Sequence, residues 1–294
     1  MELRHLRYFI RAAELLNFTK AAESLYVSQP TLSVQVHQLE QELGTELFAR
    51  VGRNVRLTES GNVFLARAYR AVKELEEGGR EVDAIKGLLR GNMCVASLPL
   101  YASKILTGWI SAFSELHPDL SIKVRAGTSD DIEAGILAGN MDLGLTILPA
   151  QHPDIISREL FRDEIVVVAS KNHDLAKKKT LSVSDFQSLP MALPSERISA
   201  TKLLGAFFEQ SGIQPKVVLT YEEGHALIEL VKRGKFISFL PRLCVKSDPD
   251  LCALPLPAPG MPISNGVLWT NLTPATQALL DLMTEQAKEL EGAG

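Results

Sequence analysis

Read from its residues, the chain is α/β overall: a winged helix-turn-helix, a long linker helix and an α/β half made of two subdomains. Three observations carry this. Residues 17–61 place two capped helical patterns and an arginine-bearing extended pair in close succession. Residues 58–90 hold one long helical period. From Gly91 onward strand-like and helix-like segments alternate to the C-terminus, the pattern of a sheet covered by helices.

Leu3, Leu6, Phe9, Ile10 and Ala13 set a first helical period, which ends at Asn17-Phe18-Thr19. The Thr19 hydroxyl is expected to cap the next helix, which carries Ala21, Ala22 and Leu25. After Tyr26-Val27, Ser28 is a good N-cap and Pro30 fits a first turn whose N–H groups lack partners, so a further helix starts near Gln29. At 100° per residue Leu32, Val36, Leu39 and Leu43 share one narrow arc and must be buried, while Pro30, Ser33, Val34, His37 and Gln41 lie opposite. Such a pair matches a helix-turn-helix whose second helix enters the major groove of double-stranded DNA. Gln29, Pro30, Ser33 and Val34 would meet base edges, with Thr31 and His37 beside them.

Leu47 to Leu57 then reads as a β-hairpin turning at Val51-Gly52-Arg53-Asn54. Arg50, Arg53 and Arg56 sit on it, and a guanidinium's planar fork of donors suits phosphate oxygens, so Arg50 and Arg53 join the DNA-contacting set. The alternative is a solvated surface hairpin. Charge restrains the reading: residues 1–57 hold seven basic against six acidic groups, and the whole chain has a formal net charge of −4. Affinity for DNA must come from where the cations sit and from more than one copy of the module.

Residues 58–90 repeat Phe64, Ala68, Ala71, Leu75, Gly78, Val82, Ile85 and Leu89 in alternating four- and three-residue steps, a heptad seam expected to pair with a second subunit. Gly78 and Gly79 interrupt it, as a close contact or a flexible point. Beyond Arg90-Gly91-Asn92, strands are expected at Met93–Ser97, Leu120–Val124, Glu164–Val168, Val217–Tyr221 and Phe236–Leu240, helices at Ile105–Leu116, Thr201–Gln210 and Ala226–Lys232, and a further helix and strand within Asp130–Leu148. After a proline-rich connector, Leu254–Pro262, the strand Gly266–Trp269 and helix Pro274–Leu290 return to the first α/β unit. Two crossings and a cleft between subdomains follow from that return.

Other classes find little support. No apolar run approaches the ~20 residues of a membrane helix, and MELRHLRYF lacks a secretory core, so a cytoplasmic protein without a membrane partner is expected. The six histidines are scattered, with no Gly-x-Ser-x-Gly, phosphate-cradling loop or zinc cluster, so neither an enzyme nor a cofactor is expected. Of three cysteines, Cys244 and Cys252 flank a short loop that would allow a redox switch as an alternative; nothing in the sequence lowers their pKa. A solute-binding protein is a further alternative for residues 91–294 alone.

The motif Phe18, Ala21-Ala22, Leu25, Ser28-Gln29-Pro30, Leu32-Ser33, Leu39-Glu40, Leu43-Gly44, Leu47-Phe48, Arg50, Leu57-Thr58 and Gly61 resembles the LysR-type transcriptional regulators. Leu193-Pro194-Ser195-Glu196, with Tyr221 and Leu227-Ile228-Glu229-Leu230-Val231, looks nearest to regulators of the cyanate-response type. Asp174, where the family usually has proline, and the single glycine of Gly234-Lys235-Phe236-Ile237 depart from the pattern in loops. The resemblance implies a DNA-binding domain at 1–58, a dimerisation helix at 59–90 and a regulatory domain at 91–294 similar to periplasmic binding proteins, with subdomain I at about 91–162 and 266–294 and subdomain II at about 163–265. It implies tetramers built from dimers, a small effector and RNA polymerase as a partner.

By the same resemblance the effector site falls on Ser97, Pro99, Leu100, Thr128, Ser129, Ser195, Arg197, Ser199, Thr201, Tyr221 and His225. Strand ends and helix N-termini favour small polar or anionic ligands. Arg197 and His225 are the candidate charge partners, and Glu222 and Glu223 would oppose an anion. The hydroxyls have an alternative use as helix caps.

Overall fold

The computed structural model describes residues 1–51, 54–85, 91–178, 180–186, 189–195 and 199–292. The chain divides into two compact units, residues 1–88 with 138–140 and residues 89–137 with 141–294.

In the first unit, α1 (Leu3–Leu15), α2 (Phe18–Ser24) and α3 (Gln29–Leu43) pack around Phe9, Ala12, Ala21, Ala22, Leu32, Val36 and Leu39. The cap of α2 is Asn17, whose Oδ1 accepts from Lys20 N at 3.0 Å, and not the expected Thr19. Asn17 holds the extended backbone an N-cap needs, leaving Thr19 inside the helix. Ser28 caps α3 as expected, its Oγ 3.3 Å from Thr31 N, and Gly44 ends that helix in the left-handed region at φ 68°. The wing is β1 (Phe48–Val51) against β2 (Asn54–Leu57), and Phe48 sits edge-on to Phe9 and Phe18 with ring centroids 5.5 and 5.1 Å away.

Thr58 opens α4 (Glu59–Ile85), its Oγ1 accepting from Gly61 N at 2.9 Å. A Cβ at position 61 would overlap the Leu47 carbonyl oxygen, so glycine is required where α4 crosses the chain entering the wing. The N-terminal part of α4 lies along α1: Ala68 and Val72 are buried with Leu6 and Phe9, and Tyr69 Oη donates to Glu14 at 2.7 Å. Phe64 and Ala68 of the heptad seam therefore pack within their own unit. Ala71, Leu75 and Val82 remain exposed, Leu75 at 62% and Val82 at 54%, while the Ile85 side chain and Leu89 lie outside the described residues.

The second unit starts with β3 (Gly91–Ser97), α5 (Pro99–Tyr101), a π-helical turn at Ala102–Leu106, α6 (Thr107–Leu116), β4 (Leu120–Ala126), α7 (Ser129–Ala138) and β5 (Leu143–Ile147). β6 (Ile156–Ser170) is followed by β7 (Pro190–Pro194), α8 (Ser199–Gln210), β8 (Lys216–Tyr221) and α9 (Gly224–Lys232). The chain then forms β9 (Ser238–Pro241), α10 (Arg242–Val245), β10 (Leu251–Pro255), β11 (Pro262–Trp269) and α11 (Pro274–Gly292). Strand order is β10-β6-β11-β5-β3-β4, with β9 also on β6; β7 and β8 pair in parallel. β3 runs parallel to β4 and β5, so its connections carry helices, whereas β11 is antiparallel to both neighbours.

The long strand β6 joins two sheet regions. Residues 156–164 pair with β11, and residues from Ile165 on pair with β9 and β10. Its period of two separates two cores: Ile165, Val167 and Ala169 face Leu204, Phe207 and Phe208 of α8, while Val166 and Val168 face Leu227 and Val231 of α9. The strand expected at Glu164–Val168 thus begins eight residues earlier, and β7 and β10 were not expected at all. Prolines bracket β7 and end β10, positions where a missing N–H costs a strand little. No described helix is long and apolar enough to cross a membrane.

Candidate functional site

The first site is the outer side of α3. Gln29, Pro30, Thr31, Val34 and His37 are exposed and Ser33 is half-buried. Gln29 Nε2 donates to Ser33 Oγ at 2.7 Å, the Ser28 and Thr31 hydroxyls lie 2.7 Å apart, and His37 Nε2 is 3.2 Å from Gln41 Nε2. A carboxamide, hydroxyls and small methyls on one helical turn suit adenine edges and thymine methyls, and none carries charge. Glu40, whose role the sequence did not reveal, accepts from Leu47 N at 2.8 Å and Phe48 N at 3.2 Å, fixing the wing's start to α3. Arg56 is exposed on β2; the Arg50 side chain and Arg53 lie outside the described residues.

The second site is a cavity of about 230 Å³ in the second unit. Leu98, Leu100 and Tyr101 from the β3–α5 corner form one wall; Phe239, Leu240 and Pro241 of β9 form another. A Cβ on Gly224 would come within 2.8 Å of Leu100 Cγ, so glycine lets the start of α9 close against α5. Thr128, Asp131, Ser195 and Glu222 are the polar groups of the wall.

Of the residues expected to hold an effector, Pro99, Leu100, Thr128 and Ser195 line this cavity. Ser97 and Ser129 are buried instead, the first 3.2 Å from the Leu98 carbonyl and the second 2.7 Å from Thr146 Oγ1. Thr201 Oγ1 is 3.4 Å from the Pro194 carbonyl, Tyr221 accepts from Ser195 N through its carbonyl, and His225 is exposed off the wall. Arg197 and the Ser199 side chain lie outside the described residues. Leu98, Tyr101 and Phe239, which the sequence did not mark, look like any core residues in an apolar run.

Two helix N-termini beside the cavity already hold carboxylates of the chain. Asp131 Oδ2 accepts from Thr128 N at 3.0 Å and from Thr128 Oγ1 at 2.7 Å, and Thr128 Oγ1 accepts from Asp131 N, a reciprocal cap on α7. Glu223 caps α9, accepting from His225 N at 3.0 Å and Ala226 N at 2.6 Å. Burial pushes the Glu223 carboxyl up, but these N–H donors and the nearby His225 outweigh it and hold it below the usual range.

Beneath Tyr101 lies Asp163, where β6 passes between its two pairing regions. Its carboxylate accepts from Glu164 N at 2.8 Å and Leu243 N at 3.2 Å, with Tyr101 Oη at 3.4 Å. Burial raises the Asp163 carboxyl, against those hydrogen bonds, and raises Tyr101 as well. Burial also pushes up the thiols of Cys244 and Cys252, which are free; that opposes the thiolate a redox switch needs. Among the described residues no group of three or more His, Cys, Asp and Glu could hold a metal ion.

A winged helix-turn-helix joined to a two-sheet ligand-cavity unit defines a class of ligand-responsive DNA-binding proteins. Residues 3–62 match the bacterial regulatory helix-turn-helix protein family, lysR family, and residues 86–288 match the LysR substrate binding domain. The chain belongs to the LysR family and is a DNA-binding transcriptional regulator with an effector-binding domain, not an enzyme. It is 32% identical to the Hca operon transcriptional activator HcaR of Escherichia coli (strain K12) over 82% of each chain. Its fold is similar to that of a full-length OxyR variant from Pseudomonas aeruginosa, with TM-score 0.76, 23% identity and 98% and 95% of the two chains covered. Full-length CbnR, solved with its target DNA, gives TM-score 0.70 at 24% identity over 98% of this chain and 100% of that one.

Proposed function

We propose that residues 1–58 read an operator, that residues 59–90 pair two subunits, and that residues 91–294 bind a small effector that alters how the assembled protein sits on DNA. Subdomain I comprises about 91–162 and 266–294, and subdomain II about 163–265. The observation that carries the reading is the pairing of an exposed, uncharged α3 face with a cavity walled by both sides of the β6 crossing. Gln29, Pro30, Thr31, Ser33, Val34 and His37 read bases; Arg50 and Arg53 hold the phosphate backbone. CbnR was solved on its target DNA, which supports the same use of this fold.

The effector is a small polar molecule with an apolar body, held by Pro99, Leu100, Thr128 and Ser195 against the Tyr101 and Phe239 walls. The N-termini of α7 and α9 are filled by Asp131 and Glu223. An anionic end therefore belongs at residues 195–201, where Arg197, Ser199 and Thr201 cluster in sequence; Ser97, Ser129, Tyr221 and His225 support that shell. Pro194 and Ser195, part of the phrase that resembles cyanate-response regulators, stand at the cavity wall, which supports that grouping. Exposed Leu75 and Val82 support dimers, assembled in pairs into tetramers. The protein acts in the cytoplasm with RNA polymerase as its partner.

Replacing Ser33 by alanine tests the role of α3. On an operator selected from random DNA, Ser33→Ala is expected to reduce discrimination against a scrambled duplex by roughly 1–3 kcal/mol, whereas Arg53→Ala weakens both duplexes alike. Equal losses from the two variants on both duplexes would refute the division between base and backbone contacts.

A further inference from the structure

Tyr26, in the turn between α2 and α3, stands in the left-handed region at φ 56° and is 96% exposed. Its backbone explains the first fact. Tyr26 N donates to the Glu23 carbonyl at 3.1 Å and Val27 N to the Ala22 carbonyl at 3.0 Å, the double bond pattern that closes a helix through one left-handed residue. The same pattern closes α3, where Gly44 N reaches Gln41 at 3.2 Å and Thr45 N reaches Glu40 at 3.2 Å. There the left-handed residue is glycine, which adopts φ 68° without a Cβ clash.

A β-carbon in this region costs free energy that glycine avoids. Leu16, at φ 46°, is the other described non-glycine residue at positive φ, and it keeps more than half of its side chain out of water. Tyr26 recovers nothing of the kind inside the chain, because its ring is almost wholly in solvent. An aromatic side chain is therefore held at local cost and pointed outward. It stands two residues before the Ser28 cap and beside the first turn of α3, the end that reads DNA under the function proposed above.

We infer that Tyr26 is a backbone-contacting residue on DNA: its phenol O–H donates to a phosphate oxygen at the edge of the groove that receives α3, and its ring lies against the adjoining deoxyribose. The inference rests on α3 entering the groove. A phenol is neutral, so the contact adds affinity on every sequence without releasing a counterion, unlike an arginine or lysine contact. Its hydrogen-bonding hydroxyl also makes phenylalanine a stringent substitute.

The test uses the full-length protein and a fluorescein-labelled, random-sequence duplex of about 40 base pairs, titrated by anisotropy from ~50 to ~200 mM salt, where phosphate contacts dominate binding. Tyr26→Phe is expected to bind more weakly by about tenfold or more, as loss of a hydrogen bond to a charged acceptor implies, with the salt slope unchanged. Tyr26→Gly is expected to bind more weakly still, yet to unfold at the same or a higher temperature, because glycine relieves the left-handed position. Tyr26→Phe binding like the unaltered protein overturns the phosphate contact. Loss of thermal stability or of self-association in Tyr26→Gly, seen by sedimentation, overturns it too, by assigning Tyr26 to the protein's own packing. If the unaltered protein binds no duplex at any salt, the reading of α3 fails and this inference with it, an outcome distinct from the other two.

Discussion

At Gly61 a single hydrogen atom in place of a side chain lets α4 start directly over the Leu47 carbonyl, with Thr58 capping the same turn. Gly61→Ala is expected to destabilise the DNA-binding unit by roughly 1–3 kcal/mol, the usual cost of overpacking, measured by denaturant unfolding of the full chain. An unchanged midpoint would show that the Leu47 strand entry yields freely. Asp163 supplies a second residue-scale expectation, with a definite sign. Burial raises its carboxyl in the folded state, so between the unfolded value and the raised value the folded chain binds more protons. Stability from this group is then fully present at low pH and lost as pH rises through that window. Asp163→Asn cannot ionise yet keeps an acceptor for Leu243 N, so its melting temperature relative to the unaltered protein is expected to climb as pH rises above the ordinary carboxylate range of about 4. A difference independent of pH would contradict this. Residue details of this kind were partly legible. Ser28 and Gly44 announce the ends of α3 through local chemistry, but Asn17 and Thr19 can each cap a helix, and backbone geometry alone chooses between them.

Among the elements, α3 was legible because its apolar arc and its caps agree, whereas α4 shows how one period serves two surfaces. Phe64 and Ala68 go to α1, and Ala71, Leu75, Gly78 and Val82 fall within one exposed stripe some 60° wide on a helix of 100° per residue. A Cβ at Gly78 would meet nothing beyond its own helix within 4 Å, which leaves room beside it. Leu75→Ala with Val82→Ala is expected to weaken self-association by tenfold or more, since each buried aliphatic side chain contributes about 1.5–3 kcal/mol, as read by sedimentation equilibrium. Thermal stability of the unit should change little, because both side chains are already exposed. Undisturbed association would remove α4 from the interface. β6 was only half legible: its Val166-Val167-Val168 run reads as a buried strand, but residues 156–164 are largely polar and exposed, and their pairing with β11 depends on the distant segment Pro262–Trp269.

For the whole molecule, the alternation of strands and helices and the late return of β11 and α11 made the two-sheet plan readable from the residues alone. The cavity was not readable in the same way. Its lining, mostly apolar, comes from six separate stretches, and nothing local distinguishes Tyr101 or Phe239 from core. Polar residues gave an uneven guide, since Thr128 and Ser195 reach the wall while Ser97 and Ser129 are hydrogen-bonded inside. In the coupling of cavity to DNA proposed above, an effector shifts the bound form only by its difference in affinity for two conformations, and a few kcal/mol of DNA bending is within that reach. The decisive measurement is a footprint and bending assay of the full-length protein on its selected operator, with and without a small molecule that raises its melting temperature. Saturating ligand should change the protected length or the bend, and substitution of Leu100 and Ser195 at the wall should abolish that change while leaving ligand-free binding intact. A ligand that stabilises the protein through this cavity but leaves footprint and bend unaltered would contradict the coupling of effector to DNA.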